Sequence, residues 1–296
     1  MPGLFDVGKS ALQSYRQQLA VTGQNIANIN TEGYKRRDAA LEEISGSQGG
    51  ITSISNQAGL GVRVQEIRRA FDSYVVDRTR SAHANFESNN TLLNKLSELE
   101  DVLLPQDSNL GIFLGRFFNS LQEIATAPGD TAPRIVAIET GHVLADSFRQ
   151  MNTIANDLLE GTLKQAKQDI TAVNVLAAEL VKINAALMSS GKSGNANNAM
   201  LDSRDRVIDE ISKFVAITTD LDSRGAATLR LGNSGNGPIF VSNESTAPIS
   251  VAQTFDGIQY SLSAGGKEAP TSQINNGALK GYSDAYTLIK KTISDI

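Results

Sequence analysis

The side chains able to do chemistry are few and scattered. His83 and His142 are the chain's two histidines. Neither has a second histidine at metal-ligand spacing, so each reads as an exposed or satisfied helix residue. There is no cysteine, which removes disulfides, thiolate metal sites and thiol nucleophiles together. Gly191-Lys192-Ser193 has the form of the end of a phosphate-binding loop. That loop requires a glycine where Ala186 stands, and a strand before it where this chain has a long helical pattern. Asp202, Asp205, Asp209 and Glu210 could form a carboxylate pair or a cation site. A helix explains them as well: Asp202 as N-cap, Asp205 in the first turn beside the positive end of the dipole, and Arg206 four residues before Glu210, spaced to pair. Lys35-Arg36-Arg37 is the one compact basic cluster; it suits an acidic partner, a helix end or simple solvation. No catalytic, cofactor-binding or metal-ligating set emerges.

Composition narrows the field in the same direction. The chain has 296 residues, 40% hydrophobic and 20% charged, with a net charge of -5. That length buries a substantial core and leaves room for one to three domains. A net negative chain is a poor match for nucleic acid, which demands clustered Lys and Arg. Aromatic residues are 5% and Trp is absent, so stacking on bases or sugars has little support. The opening Met1-Pro2-Gly3-Leu4-Phe5-Asp6 lacks the basic and then apolar run of a cleavable signal peptide. No stretch reads as a continuous apolar membrane span, so membrane insertion is not expected.

The elements that would position any site are mostly helical. A stripe beginning at Phe71 and continuing through Val75, Arg78, Ala82, Asn85, Asn89, Leu92, Leu96, Leu99 and Leu103 predicts one long helix, ended by Pro105. Ser108 can cap a shorter helix bearing Leu110, Phe113, Phe117, Leu121 and Ile124, closed by Pro128-Gly129. Thr131 then caps a helix with Pro133 in its first turn that persists to about Ser189, with Gly141 and Gly161 as places for kinks. A polar loop over Ser189 to Asn198 and a helix over Leu201 to Phe214 follow. Together these predict a bundle of long antiparallel helices.

After Phe214 the pattern changes to short runs at Val215 to Leu221, Ala227 to Leu231, Ile239 to Ser242, Ile249 to Thr254 and Ile258 to Leu262. Asp222-Ser223-Arg224-Gly225, Asn233 to Gly237 and Asp256-Gly257 are the turns between them, and the region reads as a small all-β domain of its own. Helical pattern returns from Ala278 to Ile296. The fold class is therefore mainly α with a small β-rich segment. Its expected parts are 1–69 (N-terminal helix and extended connector), 70–214 (helical bundle), 215–275 (β-rich) and 276–296 (returning helix).

The first helix is unusual. Phe5, Gly8, Leu12, Tyr15, Leu19, Thr22, Ile26 and Ile29 recur at alternating spacings of three and four, one narrow stripe with the geometry of a coiled-coil seam. An amphipathic core helix gives the same spacing. Between Arg16 and Glu32, however, there is no charged residue; Gln, Asn, Ala, Val and Gly fill the other positions. A solvated face is usually charged, whereas buried charge is costly, so this helix suits enclosure on more than one side. It should stop near Asn28 to Gly33. Gly46 to Leu60 reads as a loose connector, and Val62, Val64 and Ile67 as a short strand.

Gly3-Leu4-Phe5-Asp6-Val7-Gly8-Lys9-Ser10-Ala11-Leu12, followed by Asn25-Ile26-Ala27-Asn28-Ile29-Asn30-Thr31-Glu32-Gly33-Tyr34-Lys35-Arg36, resembles the N-terminus of bacterial flagellar axial proteins. The second segment follows their Asn-Ile-Ala-Asn and Thr-x-Gly-Tyr signature, shared by rod, hook and hook-associated proteins. Leu201-Asp202-Ser203-Arg204-Asp205 and Gly277-Ala278-Leu279-Lys280-Gly281 are similar to motifs of the hook-associated protein 1 family, in the same order along the chain. That family ends in a C-terminal helix that pairs with the N-terminal one. Here the sequence stops at Ile296, so the resemblance implies an N-terminal portion.

The resemblance implies a non-enzymatic structural subunit of the bacterial flagellum, an adaptor joining hook to filament. It implies export through the flagellar export apparatus with an export chaperone, and an extracellular place in the flagellum. The expected partners are further copies of itself, hook protein and the next hook-associated protein, with no cofactor. Phe5, Leu12, Tyr15, Leu19, Asn25, Ile26, Asn28, Ile29, Gly33 and Tyr34 are the candidate assembly residues. Two rivals are kept: a rod or hook protein, favoured by strand over Ala82 to Leu187, and a flagellum-associated cell-wall hydrolase, which needs converging carboxylates.

Overall fold

The computed structural model describes residues 4–44, 61–103, 110–190 and 195–295. The connector at 46–60, the cap at Ser108 and the Gly191-Lys192-Ser193 run fall outside them. Among the described residues the chain runs α1 (Leu4–Ala27), β1 (Arg37–Glu43), β2 (Val62–Arg69), α2 (Ser73–Leu103), α3 (Leu110–Thr126), α4 (Ala132–Ser189) and α5 (Asn195–Phe214). Six strands follow, β3 (Ile217–Leu221), β4 (Ala227–Leu231), β5 (Ile239–Val241), β6 (Ile249–Gln253), β7 (Ile258–Ala264) and β8 (Lys267–Pro270), and then α6 (Ala278–Asp295). Mainly helical architecture with small antiparallel sheets is what the periodicity implies. Two strands were not legible: β1, paired antiparallel with β2, and β8, paired with β7.

The long axis of the molecule is α4, 58 residues in one unbroken helix, about 87 Å at 1.5 Å per residue. It passes through Gly141 and Gly161 without interruption, and the Phe117 ring lies against Gly141. Its start differs from expectation: the Thr131 side chain makes no capping bond, and the Ala132 N–H is taken by Asp130 Oδ1 at 3.1 Å. One stretch of α4 is apolar and long enough to cross a bilayer by composition alone. Its Ile170, Val173, Ala177, Leu180 and Leu187 are instead buried within the chain.

The core joins helices and strands. Ile170, Val173, Ala177 and Leu180 of α4 meet Ile208 and Ile211 of α5, Leu229, Phe240, Ile249 and Leu262 from the strands, and Leu279 of α6. Each such fully buried aliphatic or Phe side chain contributes roughly 1.5–3 kcal/mol. The β region therefore shares its core with the helices. Two asparagines of α4 fix the strands in register. Asn174 donates to Ile249 O at 2.8 Å and accepts from Ile249 N–H at 2.9 Å, and Asn184 does the same with Ala227, at 2.9 Å each way. A buried amide that both gives and takes leaves no backbone polar group of that residue stranded. A second cluster holds Leu99 of α2, Leu159 of α4 and Ala285, Tyr286 and Ile289 of α6.

The inner face of α2 differs from the expected stripe in its first half. Val75, Arg78, Ala82, Asn85 and Asn89 are exposed; Arg80, Ala84 and Ser88 are buried, and only from Leu92 onward does the apolar stripe face inward. The reason is close approach. At Gly281 of α6 a Cβ would lie 2.5 Å from Ser88 O and 2.7 Å from Thr91 Cβ, and Gly277 N–H donates to Ala84 O at 3.0 Å. Small residues on both helices are what permit this spacing.

Candidate assembly helix and its attachment

Two heptad stripes run along α1. One is Val7, Ala11, Ser14, Gln18, Val21, Asn25 and Asn28, buried or half-buried against the β1–β2 hairpin. The other, about 200° around the helix at 100° per residue, is the expected seam, and it faces outward. Phe5 is 93% exposed, Leu19 71%, Ile26 68% and Ile29 79%, with Leu12 and Tyr15 also exposed. A groove of about 480 Å³ runs beside the seam between Val21, Ile26, Ile29, Tyr34 and Ala39. The chain packs its own helix through small and amide side chains, and among the described residues the large apolar ones are left unpartnered.

Asn25, Asn28, Gly33 and Tyr34 are half-buried; Asn25, held by Tyr34, ties the end of α1 to the hairpin, and Asn28 and Gly33 shape the turn between them. Asn25 Nδ2 donates to Arg37 O at 2.8 Å, while Asn25 Oδ1 accepts from Arg37 N–H and from Tyr34 OH, both at 2.9 Å. Asn28 Nδ2 donates to Gln24 O at 2.9 Å, and its Oδ1 accepts from Thr31 Oγ1 at 3.2 Å. Gly33 sits at φ +77, the left-handed turn conformation that glycine adopts without strain. At the other end of the hairpin Ser14 Oγ donates to Val62 O at 3.0 Å, and Val62 N–H donates to Ser10 Oγ at 3.3 Å.

The hairpin reaches the rest of the molecule through a buried Arg–Asp network that the sequence did not reveal. Arg37 of β1 lies 3.1 Å from Asp202; Arg69 of β2 lies 2.8 Å from Asp202 and 2.5 Å from Asp205. Arg80 of α2 donates to Asp209 at 2.7 Å, and Arg204 donates to Asp205 and, at 2.5 Å, to Gly225 O. The guanidiniums of Arg69 and Arg204 both stand over the Phe71 ring, and that of Arg37 over Tyr34 at 5.1 Å. Burial pushes the Arg204 guanidinium below its usual pKa, opposed by the Asp205 carboxylate.

Several side chains thus stand elsewhere than expected. Asp202 is not a helix cap: α5 starts seven residues earlier at Asn195, inside the expected polar loop, and Asp202 faces two arginines. Arg37 is neither capping nor solvated but is tied to Asp202. Glu210 pairs with Lys213 at 2.6 Å. The α5 aspartates do converge, and each is committed to arginine. His83 and His142 are exposed on α2 and α4. Among the described residues no group of three or more His, Cys, Asp or Glu is placed to hold a metal.

Known proteins give the arrangement its context. Residues 96–296 match the family model described as the flagellar hook-associated protein FlgK helical domain, and residues 5–35 match that of the flagella basal body rod protein. The chain is 25% identical to flagellar hook-associated protein 1 of Bacillus subtilis over 88% of its own length and 51% of the relative's. It is 25% identical to the protein of that name from Salmonella typhimurium, over 95% and 51%. It thus spans about half the length of the curated relatives it matches. The flagellar hook junction protein FlgK of Burkholderia pseudomallei has the same fold, with a TM-score of 0.62 at 16% identity, over 71% of this chain and 38% of that one. A hook-associated helical domain matched over more than half of the sequence, behind a rod-type first helix, means that this chain belongs to the FlgK family of flagellar hook-associated proteins.

Proposed function

We propose that the chain is a non-enzymatic structural subunit of the bacterial flagellum, an adaptor at the hook–filament junction. The observation that carries this reading is the outward stripe of α1, from Phe5 to Ile29, on a helix with no charge between Arg16 and Glu32. Leaving such a stripe in water forfeits roughly 1.5–3 kcal/mol for each large side chain; helices of neighbouring subunits recover it. Phe5, Leu12, Tyr15, Leu19, Ile26 and Ile29 make the contact in this reading, and Asn25, Asn28, Gly33 and Tyr34 hold the helix in shape for it. The partners are further copies, hook protein and the next hook-associated protein. The chain reaches them outside the cell through the flagellar export apparatus, escorted by an export chaperone.

The rod or hook alternative predicts strand between Ala82 and Leu187, where the described residues are helical apart from the turn around Pro128. The hydrolase alternative needs free carboxylates, and the three that converge are neutralised by arginine. Deleting the residues before Tyr34 tests the proposal. The shortened chain should keep its helical body by circular dichroism and lose incorporation into flagella, leaving cells without filaments. Filamented cells carrying only the shortened chain contradict it.

A further inference from the structure

The joint between the α1–hairpin unit and the body is made almost wholly of ions and amides. Among the described residues, apart from the Arg37 and Arg69 pairs with Asp202 and Asp205, one hydrogen bond crosses it, from Asn198 Nδ2 to Ile67 O at 2.9 Å, and Gly33 lies beside the methylenes of Arg206. No described element of residues 4–69 packs broadly on α2–α6 or on β3–β8, whereas α1 packs well on both strands of its own hairpin. Clefts flank the joint on both sides. One of about 390 Å³ opens between the Gly33–Tyr34 turn and Ser203 and Arg206 of α5. Another of about 400 Å³ opens between Ile67 of β2 and Leu201 of α5.

The energetics of such a joint are those of a clasp. Apolar burial is recovered by no other state of a chain in water, but buried ions regain hydration once released, so their net contribution to the closed form is small. The pairing is also imperfect. Arg37, Arg69, Arg80 and Arg204 share Asp202, Asp205 and Asp209, with Asp77 also 3.6 Å from Arg80, and Arg37 Nε, Arg69 Nε and Asp202 Oδ1 are buried without a hydrogen-bond partner. Arg69 Nε is 2.8 Å from Asp202 Oδ1, close enough for charge attraction but not aligned to donate. The closed form is thus specific in direction and weak in net terms.

We propose that Arg37 and Arg69 with Asp202 form a releasable latch: positioning residues that hold α1 at one angle to the body when closed, and let the α1–hairpin unit swing as one piece when open. That this angle matters for docking rests on the assembly reading above; the swing itself does not.

The absence of cysteine allows a direct test by pulsed dipolar spectroscopy on the whole chain, diluted with unlabelled protein. Spin labels at Gln17→Cys on α1 and Glu244→Cys on the body should give one narrow distance peak. Asp202→Asn should abolish that single peak and produce a broad second population, and so should Arg37→Gln, which leaves α5 intact. A pair within the body, Glu160→Cys and Glu244→Cys, should stay narrow in both, showing that each variant is folded. Glu210→Gln, which breaks an exposed pair on the same helix, should change nothing. An unaltered Gln17–Glu244 peak in both latch variants overturns the proposal, as does a broad peak in the parent. Loss of flagellar incorporation with an unaltered peak would spare the assembly reading while rejecting the latch.

Discussion

Single residues in this chain are legible when their chemistry is used locally and opaque when a distant partner claims them. The Asn-Ile-Ala-Asn and Gly-Tyr signature belongs to the first kind: Asn25 closes the turn at Arg37, twelve residues on. Arg37, Arg69 and Arg80 belong to the second. Nothing in the sequence distinguishes them from solvated arginines, because their partners lie on α5, more than a hundred residues later. The same holds for Asp169 of α4, which is hydrogen-bonded to Tyr282 of α6; burial raises its carboxyl above the usual range, with Tyr282 acting in the other direction. A group whose native pKa is raised favours the folded state fully in acid and loses that contribution as pH rises through the raised value. Asp169→Asn should therefore raise the melting temperature near neutral pH, and the gain should shrink toward about pH 3, below the ordinary carboxylate range. A gain that grows in acid would assign the effect to something other than this carboxyl.

At the scale of elements, periodicity located the helices well and their faces less well. The α1 seam and the second half of α2 carry large apolar residues at heptad spacing, a signal that survives any context. The first half of α2 defeats it, because its inner face is Arg80, Ala84 and Ser88. Small residues there serve close helix approach, and a charged one is buried for the sake of Asp209; neither adds to an apolar stripe. Strand β1 was missed for a related reason: Arg37-Asp-Ala-Ala-Leu-Glu-Glu43 has no β-branched residue and little alternation. The Gly-x-Leu-x-Gly motif, read as a resemblance, has a packing meaning: Gly277 and Gly281 let α6 sit on α2 while Leu279 enters the core. Gly281→Ala should push the helices apart and cost about 1–3 kcal/mol, measured by chemical denaturation with the helical signal of the native state retained. Undiminished stability would show that the α2–α6 contact yields more easily than its geometry implies.

The molecule as a whole has two attachments of different character. Strands and helices from Ile170 onward are welded by a shared apolar core, so the β region does not stand apart as its change in composition suggested. The N-terminal helix and hairpin are joined to that body by ion pairs and directed hydrogen bonds. In the proposed reading, an element that exposes its apolar stripe and is joined to its own chain mainly through ions meets other chains along that stripe. Labelling the seam itself decides the matter. In cells whose own copy carries Leu19→Cys, a water-soluble maleimide should modify that cysteine rapidly in the free purified chain and not at all in assembled flagella. Equal labelling in both would mean that the seam stays in water after assembly, and would contradict the account.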